Sequence, residues 1–251
     1  MENIKLCHTP LGDFYVLTND RWIGKTLLSG NAWEEPLIRF LEKYVKEGST
    51  VLDIGANIGT HSVPFAKYVG VNGTVYSFEP QQKIYNLLVK NIRENKLTNI
   101  IIPLNKAVGH RVCKVRLNSK VCDGINKGKK LNYNTDELTN YGGIELGNDG
   151  EEIEMINIDS LELDNISLIK IDVEGCEQLA ICGLKKTIAR CKPVIVYEEK
   201  KSIPVELLNS MDLGKAKNFD IKKFLAKQGY KNITKIKNDT VWISTVRSKV
   251  K

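Results

Sequence analysis

The sequence predicts an α/β fold, a mostly parallel sheet with helices on both faces. Three observations carry this. First, a short apolar run, Thr50–Ile54, leads into a glycine turn and then into apolar residues at helical spacing. Second, strand-like and helix-like stretches alternate along most of the chain, as in a parallel sheet covered by helices. Third, strand-like runs repeatedly end in carboxylates, at Asp53, Glu79, Asp172 and Glu198. Open α/β sheets bind their ligands at that carboxyl edge.

Taken in order, residues 1–47 are expected to form a small N-terminal extension and residues 48–246 the core of a single domain spanning 1–251. Ile4–Cys7 and Phe14–Thr18 flank the turn Pro10-Leu11-Gly12-Asp13, a hairpin signal. A covering helix is expected over Ala32–Val45, where Trp33, Leu37, Phe40, Leu41 and Tyr44 share one face. Asn31 would cap it, and Glu34 and Glu35 suit its first turn. The first core strand and turn then give a helix over 58–69, with Ile58, Ser62, Phe65, Ala66 and Val69 in phase. A strand over 74–79, a helix over 81–95 and a strand over 100–104 follow, and Val112–Leu117 alternates as an added strand.

Residues 118–150 have no clear period, and such a stretch is usually a functional loop or a mobile one. A substrate lid is expected here, with Tyr141, Gly142 and Gly143 as contacts. Beyond it, Glu152–Ile158 alternates as a strand, and Ile166–Gly175 reads as a strand ending in Asp172 and Glu174 before a helix over 176–183. Pro193–Tyr197 is a further strand that runs into Glu198. A helix over 221–228 closes at Gly229, and 233–236 with 240–246 form an antiparallel pair turning at Asn238-Asp239.

Composition narrows the function. The net charge of +7 comes from 37 basic against 30 acidic residues, but the excess is spread out and no aromatics interleave with it, so nucleic acid is not the expected partner. No apolar run approaches the ~18 residues of a membrane span. The start lacks the basic and apolar regions of a signal peptide, so a soluble, cytoplasmic protein is expected. The six cysteines include no C-x-x-C pair and are expected as free thiols.

The first turn reads Asp53-Ile54-Gly55-Ala56-Asn57-Ile58-Gly59, or D-x-G-x-N-x-G. It is neither the G-x-G-x-x-G of dinucleotide folds nor a P-loop, whose lysine is missing. A carboxylate in front of the glycines sits badly beside a pyrophosphate. A cationic, phosphate-free ligand suits it better, and S-adenosylmethionine, a sulfonium, is one. Glu79 lies 26 residues after Asp53, close to the ~20-residue offset of the acid that holds a ribose in nucleotide-binding βαβ units. The alternative is a helix-start carboxylate favoured by the helix dipole. Around Lys106 and Ala107, small residues leave room for an adenine.

Three segments together resemble the FkbM family of S-adenosylmethionine-dependent methyltransferases: Val51–Ser62, Tyr76-Ser77-Phe78-Glu79-Pro80 and Lys170–Glu177. The resemblance implies a seven-stranded Rossmann-like sheet with its last strand antiparallel, and O-methylation of a hydroxyl on a sugar, glycan or related small metabolite. Carried over by motif, Asp53, Gly55, Ala56, Asn57 and Gly59 would surround the methionine part of the cofactor. Glu79, beside Pro80, would bind the ribose, and Asp172 would face the methyl group. Where the family commonly has His or Tyr, this chain has Cys176.

A sugar hydroxyl is a poor nucleophile at neutral pH, so Asp172 is the expected general base, with Glu174 and Glu198 as second candidates. His61 is a third, or else a residue of its helix's first turn with no role. A divalent cation held by Asp172 and Glu198 is an open alternative without a dedicated motif. A methyltransferase of RNA or protein, a non-catalytic module keeping the cofactor fold, and a homodimer also stay open.

Overall fold

The computed structural model describes residues 3–122, 124, 126–199 and 203–245. The expected strand end at Val246 lies outside them. The N-terminal hairpin pairs β1 (Ile4–Thr9) with β2 (Gly12–Leu17). Helices α1 (Ile23–Leu28) and α2 (Glu35–Glu42) follow. Then come β3 (Thr50–Ile54), α3 (Ser62–Val69), β4 (Thr74–Phe78), α4 (Gln82–Glu94), β5 (Ile101–Leu104), β6 (Ala107–Val108), β7 (Cys113–Leu117), β8 (Leu146–Gly147) and β9 (Glu152–Ile156). The last third of the chain holds β10 (Ile166–Ile171), α5 (Glu177–Cys182), α6 (Lys185–Cys191), β11 (Val194–Glu198), α7 (Val205–Ser210), α8 (Ile221–Lys227), β12 (Tyr230–Ile236) and β13 (Asp239–Ser244).

The central sheet has seven strands in the order β12-β13-β11-β10-β3-β4-β5. Neighbours from β11 to β5 are parallel, and β13 alone runs against the rest, inserted between β11 and β12. Side chains alternate between the two faces. Val51, Leu168, Val196 and Val241 enter the cluster built with α3, α4 and the N-terminal hairpin. Leu52, Ile169, Ile195 and Trp242 enter the one built with α5, α6 and α8. A second sheet, β6-β9-β7-β8, packs with α7 around Val115, Met155 and Leu179. Among the described residues no helix is long and apolar enough to cross a membrane.

Several expected elements are corrected. The covering helix begins at Glu35, not Ala32, because Pro36 has no N–H to give the Ala32 carbonyl and its ring would clash there. Asn31 therefore caps nothing, and its amide bonds Ser29 Oγ instead. Trp33 and Glu34 precede the helix, and Glu34 adopts a left-handed backbone (φ 48°). The expected β prelude contains α1. The described residues of 118–150 are mostly irregular apart from β8, yet Tyr141, Ile144 and Leu146 among them are buried.

Candidate active site

The carboxyl ends of β3, β4, β10 and β11 open into one cavity of about 350 Å³. The β12–β13 turn reaches the same edge because β13 is antiparallel. The start of α1 (Trp22 and Ile23), the segment between α1 and α2 (Trp33 and Glu34) and residues from 140–146 close its sides.

The β4–β5 end is shaped by backbone. Gly55 has φ +83°, and a Cβ there would lie 1.8 Å from the Asp172 carbonyl oxygen, so only glycine lets β3 and β10 meet. Asn57 is also left-handed (φ 49°). The Asn57 N–H donates to Glu79 Oε2 (3.0 Å) and the Gln81 N–H to Glu79 Oε1 (2.8 Å). Burial nevertheless pushes the Glu79 carboxyl up to about 7. Pro80, Lys106 and Ala107 line the same end, with the Lys106 ammonium paired to Glu154.

Register places a polar row across the apolar sheet. Lys170 on β10 pairs with Asp53 on β3, and Asp53 with Ser77 on β4. Ser62 Oγ donates to Asp53 Oδ2 (2.5 Å) and Ser77 Oγ to Ser62 Oγ (2.7 Å). Lys170, 2 % exposed, donates to Asp172 Oδ2 at 3.0 Å. Burial works against its charge, but Asp172, Asp53, Glu34 and Asp239 more than offset that and raise its pKa. The turn carrying Asp172 and Glu174 is tied by Glu177, whose carboxylate accepts from the Val173 and Gly175 N–H groups (both 3.2 Å) and is itself raised to about 7 by burial.

The β10–β13 end is rich in carboxylates. Burial pushes Glu34 up, but His61, Lys170 and Lys237 together hold it down at about 2. His61 Nε2 lies 3.4 Å from Glu34 Oε2, a close approach and not an aligned hydrogen bond. Burial raises Asp239 to about 6 against the pull of Lys170. One carboxylate oxygen each from Asp172, Glu174 and Glu198 lies within 4.8 Å of the others, a spacing that a hard cation could bridge. Trp33 lines this side under the Lys237 ammonium, 5.9 Å from its ring centre, while Trp22, also in the cavity lining, is 47 % exposed.

Of the residues expected from sequence, Gly55, Ala56, Asn57, Glu79, Pro80, Lys106, Ala107, Asp172, Glu174, Glu198, His61 and Gly142 line the cavity. Asp53 and Gly59 do not. Asp53 is fully buried under Ser62, and Gly59 (φ +91°) lets the turn pass Leu88 Cδ1, which a Cβ would meet at 2.8 Å. The Tyr141 ring also stays outside the cavity. It is fully buried, stacked on Tyr133 at 5.1 Å, with its hydroxyl between Asn19 and Asn132. Gly143 serves the loop, its N–H donating to Asn140 Oδ1 (3.2 Å). Unanticipated lining residues are Glu34, Lys170, Lys237, Asp239, Trp22 and Asn140. The sequence signal for Lys170 was a lone cation inside an apolar strand.

Comparisons with known proteins agree with this geometry. The methyltransferase FkbM domain matches residues 53–231. The hexuronic acid methyltransferase AglP of Haloferax volcanii is 26% identical over 165 residues, covering 65% of this chain, and the chain spans 61% of that relative's length. Among solved structures, a candidate rRNA methylase from Clostridium thermocellum shares the fold at TM-score 0.50 and 15% identity, covering 83% of this chain and 93% of that one. A methyltransferase FkbM from Methylobacillus flagellatus KT gives TM-score 0.46 and 17% identity, covering 77% of this chain and 42% of that one. A seven-stranded sheet with one reversed strand, the acid-edged cavity and the match from Asp53 onward lead to one conclusion: this chain belongs to the FkbM methyltransferase family.

Proposed function

We propose that this chain is an S-adenosylmethionine-dependent O-methyltransferase that acts on a hydroxyl of a sugar or glycan. The observation that carries the reading is Asp172, in the cavity wall beside the buried Lys170, at the sheet edge that also presents Glu79. The residues fit the cofactor. Gly55, Ala56 and Gly142 keep the wall thin, Glu79 offers a carboxylate for ribose hydroxyls, and the acid-rich lining suits a sulfonium. When bound, S-adenosylmethionine supplies a methyl carbon that leaves the sulfonium sulfur for the acceptor oxygen, giving an ether and a neutral thioether.

The chain's own residues do the rest. Asp172 accepts the hydroxyl proton or orients the hydroxyl, worth about 10²–10⁴-fold. Lys170 keeps that carboxylate anchored and charge-compensated, and Glu177 fixes the turn that presents it. Loop 140–146 covers the cavity and limits water. The sugar acceptor draws support from the name of the Haloferax volcanii relative. The test is Asp172→Asn with labelled cofactor: calorimetric cofactor binding stays within about threefold while turnover on saccharides falls at least ~100-fold. Undiminished turnover, or turnover confined to RNA, would refute the reading.

A further inference from the structure

Gln81 joins the sheet edge to the long loop. It lines the cavity and is 4 % exposed. Its backbone N–H holds Glu79 Oε1. Its side-chain Nε2 donates to the Tyr141 carbonyl (2.9 Å), and its Oε1 accepts from the Tyr133 hydroxyl (3.1 Å). Residues 133–143 thus form a strap pinned to the β4 end of the cavity, with the Tyr133 and Tyr141 rings stacked at 5.1 Å. The strap's other edge is bound by the N-terminal extension. Asn19 Nδ2 donates to the Tyr141 hydroxyl and the Thr135 carbonyl (both 2.7 Å). The Thr139 N–H donates to the Asn19 carbonyl (2.9 Å), and the Arg21 N–H to the Thr139 carbonyl (3.0 Å). At Gly142 the strap passes so near the glycine turn that a Cβ would lie 3.5 Å from Asn57 Nδ2. Asn57 and Gln81 are the two residues whose backbone N–H groups hold the Glu79 carboxylate. The strap therefore touches both.

We propose that Gln81 is the latch of the donor site: it docks the 133–143 strap across the cofactor end of the cavity, and S-adenosylmethionine enters and S-adenosylhomocysteine leaves while its two strap bonds are open. This rests on the cofactor reading above. The 133–143 part of the loop expected as a substrate lid thereby serves the methyl donor. The two edges of the strap differ in kind. The Asn19 and Arg21 edge uses backbone groups as partners on the strap or on the extension, whereas the Gln81 edge hangs on one side-chain amide. Two such bonds favour the docked strap by on the order of 30-fold, a margin that thermal opening crosses readily. A latch that holds the strap equally well with and without ligand slows entry and exit alike and leaves affinity nearly unchanged. Gln81 is a positioning residue, acting on the reaction only through the strap and Glu79.

The test measures association and dissociation rates of S-adenosylhomocysteine on the immobilised intact protein, by surface plasmon resonance. Tyr133→Phe deletes one hydroxyl and with it one latch bond. Its association and dissociation rates both rise about fivefold, the worth of one hydrogen bond, while Kd stays within about threefold of wild type. Gln81→Met, of similar size but without the amide, raises both rates further. Adding Tyr133→Phe to Gln81→Met changes nothing more, because the partner is already gone. Thermal unfolding checks that each variant folds, and Tyr133→Phe alone suffices should Gln81→Met fail to. A rise in dissociation alone, with Kd weakened in proportion, would overturn the latch and leave Gln81 as a simple prop for Glu79. Unchanged rates in Tyr133→Phe would overturn it too. Absence of S-adenosylhomocysteine binding in the wild type would overturn the cofactor reading itself.

Discussion

Glu79 makes a prediction that separates stability from function. It is 3 % exposed, receives two backbone N–H bonds, and is raised by burial from an ordinary 4.5 to about 7. Between those values the unfolded chain has released a proton that the folded chain still holds. Stability is therefore fully present below pH 4.5 and falls as the pH rises through 7. That rise corresponds to about 3 kcal/mol, most of it lost between pH 5 and pH 8. Glu79→Gln cannot ionise and lacks this slope. It loses one good acceptor, costing about 1 kcal/mol at any pH. Urea unfolding of the cofactor-free proteins should thus show wild type ahead at pH 5 and the variant ahead at pH 8. The difference between them should swing by about 2–3 kcal/mol. Calorimetry should show weaker S-adenosylmethionine binding by the variant at pH 8, where the carboxylate would accept from ribose hydroxyls. A stability difference that does not change with pH would refute the burial argument, and undiminished cofactor affinity would refute the ribose role.

Three other substitutions test separate parts of the site. Lys170→Met leaves Asp53, Asp172 and Asp239 without their buried counter-charge and should cost about 3–5 kcal/mol, or on the order of 10 °C in Tm; a loss under ~2 °C would show the cation to be dispensable. Gly55→Ala must adopt φ +83° with a methyl against the Asp172 carbonyl, so it should destabilise by roughly 3 kcal/mol or more and abolish cofactor binding in calorimetry. Asp159→Ala removes the acceptor of the Lys186 and Thr187 N–H groups far from the cavity; it should lower stability by about 1 kcal/mol in urea titration and leave kcat/KM unchanged.

Where local signals and tertiary structure agreed, the sequence was readable. β3, β4 and β10 are mostly apolar runs, each with an acid at or just past its carboxyl end, Asp53, Glu79 and Asp172. The Gly55 turn showed itself because a steric need leaves a residue-type mark. Helix α6 did not, because its start is held by Asp159, 26 residues before Lys185, and no local cap exists to be seen. Asp53 had the right chemistry for a ligand yet lies under Ser62, since strand register, which the sequence does not display, directs it into the sheet's polar row. Glu34 read as a helix-start acid, but Pro36 starts the helix later and leaves Glu34 ahead of it in a left-handed conformation. Asn238 and Asp239 read as plain turn residues because only the sheet order brings that hairpin to the cavity.

That insertion of β13 has a consequence for biosynthesis. Residues far along the chain complete the wall that the earliest ones begin, with Lys237 over the Trp33 ring and acting on Glu34. A nascent chain that has emerged only as far as β11 exposes an unsheathed strand edge and has an incomplete cavity wall. Competence to transfer a methyl group should therefore arrive in a single late step of synthesis, when the closing hairpin slots home.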